Sequence, residues 1–468
     1  MNRIHKNKTL QLFVAFALLI GSMTISGFAQ TRPLLQPIVV TTDKTNEKSK
    51  PTTVKPSPTP LVAKTGSSMA IARKTSIPML ADVEIPGYSG VLMESLDGQT
   101  VLDTNADESF NPASNVKIAT AYAVLKTFGP DYRFPTNVWT DGQVDNATGT
   151  LYGNLYISGR DPIFNYEHSV FIANELNRMG ISSVTGDLVV TGDFVMNFSE
   201  SAQRSGSSFY STLDASKRSA AATRSWNNYL FNSGKSTQVT NIPSVSITGS
   251  TYVQTVPNTA KLLFSHESAP MRSIVKATLC YSNNFLAEHL GDMLGGSYAV
   301  ARIVQLNAQV EPQDFILASS SGLGVNRVTP RAMMKLLRSL RETLSKYNMT
   351  FADIMPVAGV DKGTLEGRFD SDFARGSVVG KTGTLGRTDG GVSTLAGEFQ
   401  TKSGKVLFVI FNQRGSVARF RSFQNYFVAT VQGQLGGADS LGYAHIPIDT
   451  RLATSRVIYP NQRERKVD

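Results

Sequence analysis

Three short motifs limit what this chain can fold into more than any other feature. They are Ser114-Asn115-Val116-Lys117, Ser282-Asn283-Asn284 and Lys381-Thr382-Gly383-Thr384. Each alone is weak, because an S-x-x-K arises by chance in most chains of this length. Together, and in this order, they offer a nucleophile, a proton shuttle and an anion clamp without a histidine. Their spacing is uneven. The first two lie 168 residues apart and the second pair 99 apart, which marks an insertion after the first motif.

With 468 residues the chain has room for two or three domains and ample core. The net charge of +10 suggests nucleic acid until it is located. Residues 1–80 hold 11 Lys and Arg against 2 Asp and Glu, and the remainder is balanced to within one charge. A nucleic-acid groove needs its charge on a folded face, so no nucleic-acid partner is expected. The basic leader reads as a secretory signal over residues 1–29. Arg3, Lys6 and Lys8 precede an apolar run from Leu10 to Ile20, and Gly27 and Ala29 are small residues placed for cleavage. The run falls short of the ~20 residues that a membrane span prefers, and no Cys follows it for a lipid anchor. Export to the periplasm or the wall side of a bacterial cytoplasmic membrane is therefore expected. Residues 30–82, rich in Thr, Pro, Ser and Lys, read as a disordered linker. Cys280 is the only cysteine, so no internal disulfide can form, and its neighbourhood reads as a small buried residue on a helix.

The fold is expected to begin near Val83. Gly90–Leu96, the Asp97-Gly98 turn and Thr100–Asp103 read as a hairpin. Ile118–Phe128 reads as an Ala-rich helix, with Ser114 and Lys117 three residues apart on one helical face. Residues 136–256 carry short strand-like runs between Gly, Asp and Asn and read as a β-rich inserted domain. Within it Asn197–Ser236 lacks apolar pattern and reads as a long excursion. Helical pattern returns over Ala269–Leu294, with Ser282-Asn283-Asn284 at a break, and again over Thr329–Leu344. Gly376–Val379 leads as a strand into Lys381. Ser393–Phe399 and Val406–Phe411 form a hairpin, Arg419–Leu435 a last helix, and residues 446–468 a tail. Residues 83–135 and 257–445 thus bracket the insertion as one catalytic domain.

Amide cleavage needs a nucleophile activated near neutral pH. Ser114 would attack the carbonyl. Lys117 can take its proton only when its amine is neutral, and burial with a second cation, Lys381, would lower its pKa. Ser282 can relay the proton to the leaving amine. Asn284 has a donor and an acceptor to hold Lys117 and a substrate amide. Lys381, Thr382 and Thr384 suit a substrate ending in a carboxylate, and Gly383 leaves room for a peptide to add along the strand. The backbone amides of Ser114 and Thr384 are the expected oxyanion donors. The five histidines, His5, His168, His266, His289 and His445, form no triad and show no metal-ligand spacing. Neither a metal nor a cofactor is called for.

These residues resemble the low-molecular-mass class C penicillin-binding proteins, which are D-alanyl-D-alanine carboxypeptidases and endopeptidases. The similarity runs over about residues 85–435. It includes Leu151–Pro162 with its Gly159-Arg160-Asp161-Pro162 turn, Gly186-Asp187-Leu188, and Pro356–Leu365 with Arg368-Phe369. The resemblance implies an α/β architecture: a transpeptidase/β-lactamase-like domain, an antiparallel sheet flanked by helices, with the insertion between the first two motifs. It implies an acyl-enzyme on Ser114, peptidoglycan stem peptides as substrate and β-lactams as covalent inhibitors. It also implies that the insertion folds over the cleft and that Asp161 faces a cationic group of the stem peptide, against the plainer reading of Asp161 as a turn residue before Pro162. One stretch departs from the family. Ser319-Ser320-Ser321-Gly322-Leu323-Gly324-Val325 stands where the family often has Asp-Gly-Ser-Gly-Leu-Ser-Arg.

Two other readings compete. A β-lactamase needs a deacylating base. Glu175-Leu176-Asn177 resembles the class A loop, but the position of its Glu is Ala173. An inactive wall-binding module would have no reason to keep Ser114, Lys117, Ser282, Asn284 and Lys381 together. Nothing in the sequence fixes an oligomeric state.

Overall fold

The structure, a computed structural model, describes residues 73–235 and 242–460. The expected signal and most of the expected linker lie outside the described residues. Alternation builds the first sheet. In the strand Gly404–Gln413 both sets of alternating side chains are apolar, so both faces must be covered. Leu407, Val409 and Phe411 join one core with the helices Val116–Phe128, Met271–Tyr281 and Pro330–Ser345. Val406, Phe408 and Ile410 join another with Phe423, Phe427 and Val431 of the helix Val417–Gln434. The sheet has six strands in the order Arg73–Thr75, Thr100–Thr104, Tyr88–Ser95, Gly404–Gln413, Val392–Thr401, Val378–Leu385. Every pairing in it is antiparallel. This is the helix-flanked antiparallel sheet that the resemblance implies.

The strand carrying the third motif, Val378–Leu385, is therefore an edge strand. Its outer side is partly covered. Val357 bridges Val379, and the Gly380 N–H donates to the Pro356 carbonyl at 3.2 Å. Beyond Gly380 no strand among the described residues pairs on that side, which leaves the Lys381–Leu385 half open.

A second six-stranded sheet runs in the order Thr251–Val253, Leu188–Val190, Leu155–Gly159, Pro135–Thr140, Lys261–Glu267, Arg456–Ile458. A four-stranded sheet from Gln143–Asp145 to Ser246–Ile247 adjoins it in sequence. Three readings change here. The Asn197–Ser236 stretch forms two helices, Ala202–Leu213 and Ala220–Asn232, each capped by a serine hydroxyl, Ser201 and Ser219. Their cores are thin stripes, Phe209 with Leu213 and Trp226 with Tyr229 and Leu230, so faces rich in Ser in the first helix and in Ala and Asn in the second hide the helical period. The sheet also runs past residue 256, because Lys261–Glu267 pairs with Pro135–Thr140. And residues 446–460 are not a simple tail. Ile448–Leu452 is a helix, and Arg456–Ile458 is the last strand, paired with Ser265–Glu267.

Candidate active site

Pro112 leads into a 3-10 turn, Ala113–Asn115, that runs straight into the helix Val116–Phe128. Ser114 is in that turn and is not the cap of the helix, which is Asn115. The turn is pinned from both sides. Asn111 Oδ1 accepts from the Ala113 N–H at 3.0 Å, and Thr394 Oγ1 donates to the Pro112 carbonyl at 2.8 Å. Two glycines allow the close packing. A Cβ on Gly383 would lie 2.2 Å from Thr394 Oγ1 and 2.8 Å from the Pro112 carbonyl oxygen. A Cβ on Gly322, whose φ is +89°, would lie 2.0 Å from the Ala113 carbonyl oxygen. So the glycine of the third motif is required by the turn that carries the first.

One helical turn on, Lys117 is 1% exposed and donates to three acceptors. They are Ser114 Oγ at 3.1 Å, Asn284 Oδ1 at 2.7 Å and the Ser321 carbonyl at 2.6 Å. Burial holds its pKa down at about 8, against the pull of the Glu288 carboxylate. Ser282 ends the helix Met271–Tyr281 in a left-handed conformation, φ 54° and ψ 40°, which L side chains adopt at a cost. That bend starts the next helix, Asn284–Asp292, and brings Asn284 to Lys117. Ser282 Oγ accepts from Lys381 Nζ at 2.9 Å, and Lys381 also donates to the Thr382 carbonyl at 2.6 Å. Lys381 is fully buried, and burial, then Lys117, push its pKa well below the ordinary lysine value.

A cavity of about 580 Å³ opens on this cluster, lined by Ser114, Ser282, Asn284, Thr382 and Thr384 among others. The structure thus gathers Ser114, Lys117, Ser282, Asn284, Lys381, Thr382, Gly383 and Thr384. Lys381, however, sits behind the wall and not on it, because its ammonium is turned to Ser282 and the Thr382 carbonyl. Asp161 does not line this cavity. It is 2% exposed, its Oδ1 accepts from the Ile163 N–H at 3.0 Å and its Oδ2 has no partner. Burial raises its pKa to about 7, and the Ile163 bond opposes this. Its one side-chain hydrogen bond is that of the turn residue.

Sequence reasoning missed two contributors. Glu288 stands one turn after Asn284 on the same helix face, and its two carboxylate oxygens accept from the Ser320 and Ser321 N–H groups at 3.0 Å each. It thereby fixes the Ser321 carbonyl that holds Lys117. The spacing Asn284-x-x-x-Glu288 was the available signal. The second is a pair of arginines, Arg368 and Arg421, on the cavity wall. Arg421 donates to Thr384 Oγ1 at 2.9 Å. Glu175 is held by Arg178 and Tyr459 and lies off the cavity. Cys280 is buried, and its thiol is pushed up to about 12 by burial. Among the described residues no group of three or more His, Cys, Asp or Glu is placed to hold a metal ion.

The chain matches the model of the D-Ala-D-Ala carboxypeptidase 3 (S13) family over residues 78–205 and 237–428. It is 24% identical over 445 residues to D-alanyl-D-alanine carboxypeptidase DacB of Haemophilus influenzae, covering 74% of this chain and 91% of that protein. Among solved structures it resembles the penicillin G-acylated predatory endopeptidase Bd3459 of Bdellovibrio bacteriovorus, bound to the immunity protein Bd3460. The TM-score is 0.66 at 25% identity, covering 77% of this chain and 96% of that one. Penicillin-binding protein 4 (dacB) of Haemophilus influenzae gives a TM-score of 0.56 at 21% identity, with 75% and 97% covered.

Proposed function

This chain belongs to the D-Ala-D-Ala carboxypeptidase 3 (S13) family and is a serine-type hydrolase, and from that premise we propose that it cleaves peptidoglycan stem peptides through an acyl-enzyme on Ser114. One observation carries the reading: Ser114 Oγ lies 3.1 Å from the Nζ of a buried lysine whose pKa is about 8. Neutral Lys117 takes the Ser114 proton as Oγ attacks the scissile carbonyl. The oxyanion is met by the backbone N–H groups of Ser114 and Thr384. Ser282, fed by Lys381, delivers a proton to the leaving amine, and water then releases the acyl group. The open half of the edge strand, from Lys381 to Leu385, gives the peptide a place to add as a further strand.

The penicillin-acylated relative supports a covalent adduct with benzylpenicillin here as well. The position of Glu175, away from the cavity, supports a slow release of that adduct and weighs against a β-lactamase. Terminal trimming and cross-link cleavage are both within reach of this machinery, since the relatives are a carboxypeptidase and an endopeptidase. Residues 1–29 act as the export signal, and the inserted domain runs from Pro135–Thr140 through Lys261–Glu267, with action on the outer side of the cytoplasmic membrane. No helix among the described residues is long and apolar enough to cross a membrane.

The test is mass spectrometry of the products from defined monomeric and cross-linked muropeptides. Loss of terminal D-Ala from monomers or conversion of dimers to monomers supports the reading. Neither product, in a preparation that does not bind benzylpenicillin, refutes it.

A further inference from the structure

The match to the family model ends at residue 428, yet residues 438–458 are tied down along their length as a strap. At one end Ala438 bridges Thr401, and the Leu441 N–H donates to the Gly376 carbonyl at 2.9 Å. At the other, Arg456–Ile458 is the last strand of the second sheet. Between these ends the strap meets elements that carry the active site. Ile448 packs with Ala277 and Cys280, on the helix that Ser282 ends. Tyr443 Oη donates to Asp361 Oδ1 at 3.1 Å, and His445 Nδ1 lies 2.9 Å from the same oxygen. Facing a carboxylate, the imidazole places its N–H on that nitrogen. Burial and then Asp361 push the Tyr443 hydroxyl up to about 12, so it keeps its proton to donate.

The other oxygen of Asp361 joins the two elements of the proton relay. Oδ2 accepts from Lys276 Nζ at 2.6 Å and from the Val357 N–H at 2.8 Å. Lys276 belongs to the helix that Ser282 ends, and Val357 bridges Val379, two residues before Lys381. One buried carboxylate thus stands between the helix that holds Ser282 and the strand that holds Lys381. The 2.9 Å bond between those two side chains is the relay. A carboxylate held at one oxygen can still turn about its Cβ–Cγ bond. Donors on both oxygens set its plane, and with it the place of Oδ2.

We propose that Tyr443 and His445 are positioning residues for the proton relay, holding Ser282 against Lys381 through the Asp361 carboxylate. This rests on the peptidase reading above. Neither side chain lines the cavity, so their effect reaches the reaction only through the placement of Ser282. The relay protonates the leaving group. An amine needs that proton to depart, whereas a thiol, which ionises near pH ~8.5, leaves as the thiolate. A displaced relay therefore slows amide cleavage and spares a thioester of the same acyl group.

The experiment compares acyl-D-Ala-D-Ala with the thioester in which sulfur replaces only the leaving nitrogen. Wild type, His445→Ala, His445→Ala combined with Tyr443→Phe, and His445→Asn are measured. Both substrates give the same acyl-enzyme, so the ratio of their kcat/KM values isolates the leaving-group step. In the double variant kcat/KM for the amide falls about 10- to 100-fold, the scale of a misplacement of about 1 Å. The thioester value stays near that of wild type, which also shows that the variant is folded. His445→Asn, which keeps an N–H close to the place of Nδ1, recovers the amide activity that His445→Ala loses. Equal loss on amide and thioester marks a purely structural role and overturns the inference. So does an unchanged amide rate in the double variant, and both leave the peptidase reading intact. A wild type that cleaves neither substrate overturns that reading, and this inference with it.

Discussion

The lysine at the centre of the site predicts how acylation depends on pH. Lys117 is lowered from an ordinary 10.5 to about 8 by burial. At pH 7 a group of pKa 10.5 is neutral in roughly 0.03% of molecules, and one of pKa 8 in roughly 10%, a gain of about 300-fold in competent base. The second-order rate of acylation by a fluorescent penicillin should therefore rise with unit log-slope below pH 8. It should gain about fivefold from pH 7 to 8 and level off near pH 9. Glu288→Gln removes the charge that opposes the shift, so its midpoint should move to lower pH. Stability carries the same sign. Unfolded Lys117 keeps its proton up to about 10.5 and folded Lys117 loses it near 8, so the unfolded state binds more protons between these values. Over that window Lys117 adds up to ~3 kcal/mol of stability as pH rises. Stopped-flow acylation from pH 6 to 10 is the assay. A flat profile, or a midpoint near 10.5, refutes Lys117 as the base.

Ser114→Ala should abolish the single benzylpenicillin adduct seen by intact-mass analysis, and an adduct that persists would place the nucleophile elsewhere. Lys117→Ala should lose about 10²–10⁴-fold in turnover of a D-Ala-D-Ala peptide, and more than Ser282→Ala, whose relay water can partly replace; steady-state kinetics decide the order. Gly322→Ala should cost about 2–4 kcal/mol, from a Cβ 2.0 Å from the Ala113 carbonyl and a φ of +89°; a denaturant midpoint equal to wild type counts against that packing. Asp361→Ala leaves Lys276, at 2.6 Å from its carboxylate and fully buried, with the Ala352 and Met355 carbonyls and the Tyr443 ring but no anion. It should cost about 3–5 kcal/mol, read as a lowered thermal midpoint.

Residue chemistry and local period were legible in the sequence. The unbroken apolar run Val406–Phe411 marks a strand buried on both faces, and the Thr329 cap before an amphipathic run marks the helix Pro330–Ser345. The three motifs name the nucleophile, its lysine and the shuttle, because those roles need particular functional groups whatever the fold. The insertion shows in the spacing alone.

What each group faces was decided by tertiary structure, since those contacts join residues far apart in the chain. The Ser321 carbonyl that holds Lys117 lies 204 residues away, and nothing local marks it. Lys381 could have pointed to solvent; the pleat of an edge strand turned it inward to Ser282 and gave the cavity wall to Arg421 from a helix 37 residues beyond Thr384. Asp161 made the turn bond that its local sequence suggests, and only packing decided that it is buried. The final strand, Arg456–Ile458, has too little pattern of its own to be read, and exists because Lys261–Glu267 offers it an edge. Local sequence selects which groups are present and which backbone shapes they tolerate. Packing of distant elements selects which of them meet, and how much water is left around each charge.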